Sequence, residues 1–588
     1  MFSLMTRCWR MLAAASLLLV QPALAATAAA ETAGLHGRLV SAVWLQQQLA
    51  RPDLLPGAGV RILDASPLQQ YRAGHIPGAV SADMMVFGPT GVAPEALQKR
   101  LRAWGIDAGQ RIVIVDQGGT YMAPRMFWEL AYQGLPVEDL FILDGGMAQW
   151  RAAGGAQVKE PMPPPAAGTI SLTAPRHELR VQLPAFLAAT ADPRNHVMLE
   201  ALDPDYYYGG AGFFNRKGHV PHATLMPAAD FFNADKTFKS QAEMQRMLDH
   251  LGIRRAQQVH TYCGGGGAAA VPFFALKYLL GYPRVTLFQE SQVGWLQDER
   301  ELPVWTYSAP QLLRETDWLK AWGSPMSRLF NLAQVSVVDV RPPQTYGLGH
   351  VPLAVNLPAA VFRSHIRAHL QQPQALSALL AEAGVRAADE AVVVSEGGLN
   401  GDAALAFVVL ESLGQQKVSI FIDSLERWAD LGQDVVRAKS SAAGAASAPD
   451  APATTAATTT ATAGSKAAPS RPVAPAPAAA PYATQPRAGL IVSDEAGPRS
   501  HFSRVYIASG LLPPATPPAG TVVQLPYARL LKPDGSPRPA REVWAVLEKA
   551  GVPRYAEIVL FADDVGDAAI NYVILRLMGF ADVKVWAR

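Results

Sequence analysis

Short, unbroken apolar runs alternate along the chain with longer stretches in which apolar residues recur at helical spacing, and the alternation repeats four times. Four of the runs, Ile112–Val115, Val259–Tyr262, Ala391–Val394 and Ile558–Phe561, read as buried strands. Each is preceded by a helix-like stretch that closes on glycine plus a β-branched residue: Gly105-Ile106, Gly252-Ile253, Gly384-Val385 and Gly551-Val552. A glycine in that place is the signature of a helix C-cap. Each run is followed by a loop of small residues, an apolar helix that stops near Gly134, Gly281, Gly414 or Gly579, and a further strand beginning about Val137, Val285, Val418 or Val583. Strands alternating with helices predict parallel α/β units, in which loops at the carboxyl ends of strands carry the chemistry.

A second pattern runs in step with the first. Gly-x-x-Pro-x-Ala occurs at Gly74–Ala79, Gly218–Ala223, Gly349–Ala354 and Gly510–Ala515. Upstream of the first three copies lies an apolar run ending in an acid, Ile62-Leu63-Asp64, Met198-Leu199-Glu200 and Val337-Val338-Asp339, with Ile491-Val492-Ser493-Asp494 as a looser fourth. A tryptophan follows the last strand of three copies, at Trp150, Trp295 and Trp428, whereas the fourth reaches only Trp586 and Arg588. The position just beyond the central strand holds Asp116, Cys263, Ser395 and Ala562 in turn.

The periodicity therefore predicts units over residues 36–155, 176–306, 309–436 and 488–588. Residues 438–487 are Ala-, Pro- and Thr-rich, cannot bury a core and read as a linker, so the fourth unit is expected to be tethered while the first three form one body. Residues 1–25 have the three-part layout of a signal peptide, with Arg7 and Arg10, the apolar stretch Met11–Val20 and Ala23-Leu24-Ala25, which predicts cleavage after Ala25 and a periplasmic or secreted protein without a membrane span in the mature chain. A net charge of +2 over 588 residues excludes a polyanion partner such as nucleic acid, and 49% apolar residues exclude a disordered chain. Of 2 cysteines, Cys8 lies in the leader, so the mature chain holds Cys263 alone, with no internal disulfide or multi-cysteine metal site.

Cys263-Gly264-Gly265-Gly266-Gly267-Ala268 leaves a strand and opens a helix. Successive glycines let backbone N–H groups converge on one point, and the helix terminus adds partial positive charge. Both favour a thiolate with a depressed pKa, the nucleophilic form, and the same cradle of Gly264, Gly265, Gly266, Gly267 and Ala268 would bind the substrate sulfur. The loop lacks the Lys-Ser/Thr ending of a phosphate-binding P-loop. Recurrence of His75, His219 and His350 in units with and without a cysteine points to a turn-stabilising hydrogen bond. Tyr206-Tyr207-Tyr208 with Phe213-Phe214 could wall the approach, and Arg216 or Lys217 could meet a donor.

An acid-tipped strand, Gly-His-x-Pro-x-Ala, a strand–cysteine–loop–helix and a closing strand with tryptophan resemble the rhodanese family of thiosulfate and mercaptopyruvate sulfurtransferases. The resemblance covers nearly all of 36–436 and, more weakly, 488–588. It implies four three-layer α/β units, each a mainly parallel sheet with helices on both faces. It also implies a mechanism in which Cys263 takes a sulfane sulfur from a small donor and passes it to cyanide or a thiol, with no cofactor and no metal. Asp116 before Cys263 is similar to tandem members whose first domain is inactive. Ser395 and Ala562 leave units three and four without a sulfur carrier, as structural or protein-binding parts. The competing expectations are a non-catalytic repeat scaffold of the cell envelope, and a phosphatase or arsenate reductase, against which the uncharged loop argues because phosphate calls for a guanidinium clamp.

Overall fold

The computed structural model describes residues 35–51, 59–87, 92–330, 332–368, 373–437, 482, 484–492, 500, 502–513 and 516–587. The leader 1–25 with Cys8, and residues 438–481 of the expected linker, lie outside them. The central strands appear as Ile112–Val115, Gln258–Tyr262, Glu390–Val394 and Glu557–Phe561, each in the middle of its own sheet. In the second sheet the order is Arg180–Val181, Val285–Phe288, Gln258–Tyr262, His196–Glu200, Thr224–Leu225, all parallel. The third and fourth sheets repeat that five-stranded order, and the first adds one antiparallel strand, Leu35–His36. Helices pack on both faces of the first three sheets; in the fourth, Ala540–Lys549 and Val565–Leu577 share one face, and among the described residues the opposite face, with Tyr506, Phe561 and Trp586, gathers strand residues only, so all four are α/β units but the fourth lacks one helical layer. The capping glycines Gly105, Gly252, Gly384 and Gly551 all adopt φ between +69° and +78°, the left-handed geometry a helix C-terminus asks for.

The repeated Gly-His turn is built the same way in three units. His75, His219 and His350 stack on Tyr71, Tyr207 and Tyr346 with ring centroids 3.7, 3.5 and 3.8 Å apart. The Nδ1 of each lies 2.7 to 3.0 Å from that tyrosine's carbonyl. Backbone bridges to Val158, Trp305 and Val436 pin the turn to the end of its own unit.

The fourth unit departs from the expectation. Ile491–Val492 is the edge strand beside Val583–Trp586, and the strand equivalent to Arg61–Asp64 is Arg504–Ala508, which pairs with Glu557–Phe561 and is followed by Ser509, not by an acid. Gly510 thus comes two residues after that strand, where Gly74 follows Asp64 by ten, and Pro514 and Ala515 of the fourth Gly-x-x-Pro-x-Ala lie outside the described residues.

The tether is also corrected. Tyr482 is buried, its hydroxyl bonded to Gln415 Oε1 at 2.5 Å, and the Arg487 N–H donates to Ser412 O at 2.8 Å, so the chain leading into the fourth unit is already seated on the third. The cause is the helix Gly401–Ser412, apolar on every face and buried from Ala403 to Ser412, which has to be covered on all sides. The helix Val565–Leu577 covers it, as Ala270–Phe274 of the second unit packs on Met122–Tyr132 of the first through Phe274 against Phe127. One apolar core accordingly runs through units two, three and four, and another joins units one and two.

The single acid in the cross-unit helix Gly401–Ser412 that is fully committed to the fourth unit is Glu411. It accepts from Tyr572 Oη at 2.6 Å, Arg487 Nη1 at 2.6 Å and Arg576 Nη2 at 3.1 Å. Replacing it leaves a buried phenol and two guanidiniums short of an acceptor. Glu411→Gln is expected to lower the stability of the paired third and fourth units by about 2 kcal/mol, read as an earlier urea midpoint. An unchanged midpoint would show that this network contributes nothing to the pairing.

Candidate active site

Cys263 follows the strand Gln258–Tyr262 at the carboxyl edge of the second sheet and is 2% exposed. The loop it opens is fastened to the segment after the neighbouring strand. The Ser291 hydroxyl accepts from the N–H groups of Cys263 and Gly266, both at 3.1 Å, and donates to Phe288 O at 2.7 Å. Its oxygen lies 4.0 Å from the cysteine sulfur. The N–H groups of Gln292 and Val293, in the first turn of the helix Ser291–Leu296, reach the carbonyls of Cys263 and Gly264 at 3.0 Å each. Ser291 adopts φ +52°, where the first unit has Gly146 at φ +51°, and both precede the repeat's tryptophan by the same interval. A serine in a glycine's place is the one signal in the sequence that singles out Ser291, a residue the local motif does not reveal.

The glycines answer to space as well as to N–H direction. A side chain at Gly264 would meet the Phe213 ring at 2.4 Å, and one at Gly267 would meet the Tyr121 ring at 2.8 Å. Gly266 has φ +79°, and a Cβ there would meet Gln289 O at 2.5 Å. Phe213, stacked on Tyr206 at 5.1 Å, therefore walls the loop from within the second unit, and Tyr121 does so from the first. Tyr121 leads into the cross-unit helix Met122–Tyr132, which is how unit one reaches the sulfur. Tyr207 and Tyr208 lie elsewhere, bonded to Ala223 O and Met578 O. Arg216 is taken up by Leu302 O and Leu296 O at 2.7 and 2.9 Å, and Lys217 by Gly210 O at 3.2 Å.

Charge at the sulfur differs from the expected depressed pKa. Burial pushes the Cys263 thiol up, the N–H groups of Ala269 and Gly265 and the Ser291 hydroxyl pull it down, and the Glu200 carboxylate adds to the rise. Glu200 ends the strand beside Tyr262 and is fully buried. It accepts from Gln292 Nε2 at 3.0 Å and the Leu202 N–H at 3.3 Å, while Gln292 also donates to Gly218 O at 3.0 Å. In the third unit the equivalent Asp339 is clamped by Arg341 at 2.6 Å, but Leu202 stands in that place here. With no cation beside it, burial pushes Glu200 up to about 7.

The equivalent loops show what the cradle does. In the first unit the Asp116 carboxyl accepts from Gly118 N–H at 2.8 Å, Ala123 N–H at 3.0 Å and Thr120 Oγ1 at 2.6 Å, so the loop holds an acid group supplied by its own chain; burial pushes that carboxyl up and the three hydrogen bonds pull it back. In the third, Ser395 Oγ accepts from Asn400 Nδ2 at 2.8 Å, and in the fourth Ala562 offers no polar atom. Among the described residues no cluster of three or more His, Cys, Asp or Glu is placed to hold a metal ion, and no helix is long and apolar enough to cross a membrane.

The rhodanese-like domain family matches residues 41–153 and 326–431. The chain is 30% identical over 275 residues to the "Sulfur carrier protein TtuD" of Thermus thermophilus, covering 44% of this chain and 93% of that protein. It is 30% identical over 294 residues to the "Probable 3-mercaptopyruvate sulfurtransferase" of Pseudomonas aeruginosa, covering 45% and 96%. It is 26% identical over 306 residues to the mitochondrial "Thiosulfate/3-mercaptopyruvate sulfurtransferase 1" of Arabidopsis thaliana, covering 45% and 77%. Among solved structures, the anaerobic ergothioneine biosynthesis enzyme of Chlorobium limicola aligns with a TM-score of 0.41 at 23% identity, over 46% of this chain and 70% of that one. The protein belongs to the rhodanese family of sulfurtransferases.

Because the folded protein keeps the Glu200 proton at pH values where the unfolded chain has released it, the contribution of this one group to stability is expected to fall as pH rises from about 4.5 to 7, by about 3 kcal/mol. Glu200→Gln is expected to remove that slope. It also takes away the charge that opposes the thiolate, so the pH midpoint for iodoacetamide alkylation of Cys263 should fall. An unchanged alkylation profile would disconnect Glu200 from the sulfur.

Proposed function

We propose that Cys263 is the sulfur carrier of an exported sulfurtransferase whose units one, three and four carry no sulfur. The observation that supports it is the contrast between equivalent loops: the cradle that holds the Asp116 carboxylate in the first unit surrounds a thiol in the second. The Cys263 thiolate attacks the outer sulfur of a sulfane donor such as thiosulfate, a new S–S bond forms, and the donor's S–S bond breaks with its electron pair leaving on sulfite. The terminal sulfur of the persulfide then carries the negative charge, facing the Gly265 and Ala269 N–H groups. An acceptor, cyanide or a thiol, takes that outer sulfur, and the S–S electron pair returns to Cys263. Mercaptopyruvate or a persulfide would serve as donor in the same way, with enolpyruvate or a thiolate leaving.

Gly264, Gly265, Gly266, Gly267 and Ala268 form the substrate cradle, with Phe213 and Tyr121 narrowing it to a small donor. With no cation in the loop, donor charge is met by backbone N–H groups alone, so thiosulfate, a dianion, is expected to load Cys263 more slowly than the less charged mercaptopyruvate. The surfaces of units three and four are left for a protein partner in the cell envelope.

Incubation with thiosulfate or mercaptopyruvate is expected to add one sulfur atom to the intact mass, an adduct removed by cyanide and absent from Cys263→Ser. If no sulfane donor produces it, the carrier role is wrong. Expression with residues 1–25 is expected to deliver to the periplasmic fraction a chain whose N-terminus is Ala26. Retention of the full leader in the cytosol would remove the export assignment.

A further inference from the structure

Away from the cysteine, a cavity of about 500 Å³ lies between the second and fourth units, within the size range of small-ligand sites. Its ionisable lining is one-sided. The second unit contributes His222 and His250, the fourth contributes Arg554 and Arg576, the remaining ionisable groups are tyrosines, and no carboxylate lines it. The carboxylates that balance the arginines stand behind the wall: Asp230 pairs with Arg554, and Glu411 is shared between Arg576 and Arg487. Two guanidiniums share that one carboxylate, and Asp582, whose charge acts on His250 from behind the lining, lies 3.8 Å from Lys584.

Two buried polar atoms here have no partner, Arg576 Nε and His250 Nε2. The His250 ring also bonds the Arg554 backbone, and burial favours its neutral form, so an acid group reaching Nε2 would bring or induce the second ring proton. His222 is exposed at the mouth of the cavity, its imidazole edge to face with Trp305 at 4.5 Å and neither ring nitrogen bonded within the described residues, so both are open to solvent or a ligand. The tyrosine hydroxyls, by contrast, are spent: Tyr207 on Ala223 O, Tyr208 on Met578 O and Tyr555 on Asp230. What those tyrosines offer the cavity is ring surface, next to Leu225, Met578 and Phe580.

His222 is also out of keeping with its repeats. It has φ +62° at the turn position filled by Gly78 at φ +81° and Leu353 at φ +59°. Leu353 shows that the turn forms without an imidazole, so the ring is free to serve the cavity it lines.

We propose that this cavity binds a small organic anion, its acid group taken by His222, His250 and Arg576 and its apolar body laid against the tyrosine and Phe580 rings. The ligand joins the second unit to the fourth and leaves Cys263 untouched. The probes are phenyl phosphate and benzoate, with benzyl alcohol as the uncharged control, titrated into the full-length protein by calorimetry and thermal shift. At least one anion should bind and raise the melting temperature where benzyl alcohol does not, and the stronger of the two identifies phosphate or carboxylate as the preferred acid group. His222→Leu, which copies the residue the third unit carries at Leu353, and the conservative His250→Gln should each weaken binding by about tenfold or more while the mass of the sulfur adduct on Cys263 is unchanged. Equal responses to the anions and the alcohol would overturn the proposal, and so would anion binding that neither variant weakens.

Discussion

One hydroxyl oxygen sets the geometry of the sulfur. Ser291 Oγ receives the N–H groups of Cys263 and Gly266 and passes its own proton to Phe288 O, so a single atom ties both ends of the tight turn to the adjoining strand. The two helix N–H groups that follow it, from Gln292 and Val293, take the carbonyls of the same turn. With its carbonyls occupied from outside, the loop is free to aim N–H groups inward at the sulfur, which four glycines alone would permit but not enforce. Gln292 then carries the constraint on to Glu200 and to Gly218, and through Gly218 to the His219 turn. Loop, acid and turn are parts of one hydrogen-bonded frame.

The frame sits in a molecule built from pairs. Units one and two meet through an apolar helix from each, and units three and four meet the same way, but the two pairs differ in what lies at the seam. In the first, Tyr121 crosses it to touch the cysteine loop. In the second, Glu411 crosses it to collect Tyr572 and Arg576. The first seam borders the Cys263 loop and the second holds units three and four together.

Much of this was legible in the chain because the repeat carries its own internal controls. The central strands and the positions 116, 263, 395 and 562 follow from spacing alone, and the histidine turns follow from their recurrence in units without a cysteine. The fourth unit misled because Arg504–Ala508 has lost its terminal acid, so the eye settles on Ile491-Val492, which looks similar and lies on the edge of the sheet. The tether misled because a core-poor segment says nothing about what lies beyond it, whereas the all-apolar helix Gly401–Ser412 did contain the information that a cover was needed. At the site, Cys263 and its glycines were visible as a local motif, while Ser291, Gln292 and Tyr121 are brought in from distant sequence by the sheet order. The charge on the sulfur was misjudged for the same reason: N–H direction is local, but burial and the neighbouring Glu200 are set by the fold.

Asp116 gives the first unit a fixed tenant. Its carboxylate sits in the cradle permanently, balanced by two N–H groups and a threonine hydroxyl. In the sulfur transfer proposed above, the second unit is the same vessel with a guest that arrives and departs, its negative charge created on one half-reaction and discharged on the next. On that proposal, two copies of one loop are a static and a cycling version of the same electrostatic device, and the difference between inert masonry and a working part comes down to whether the acid is covalently owned or borrowed.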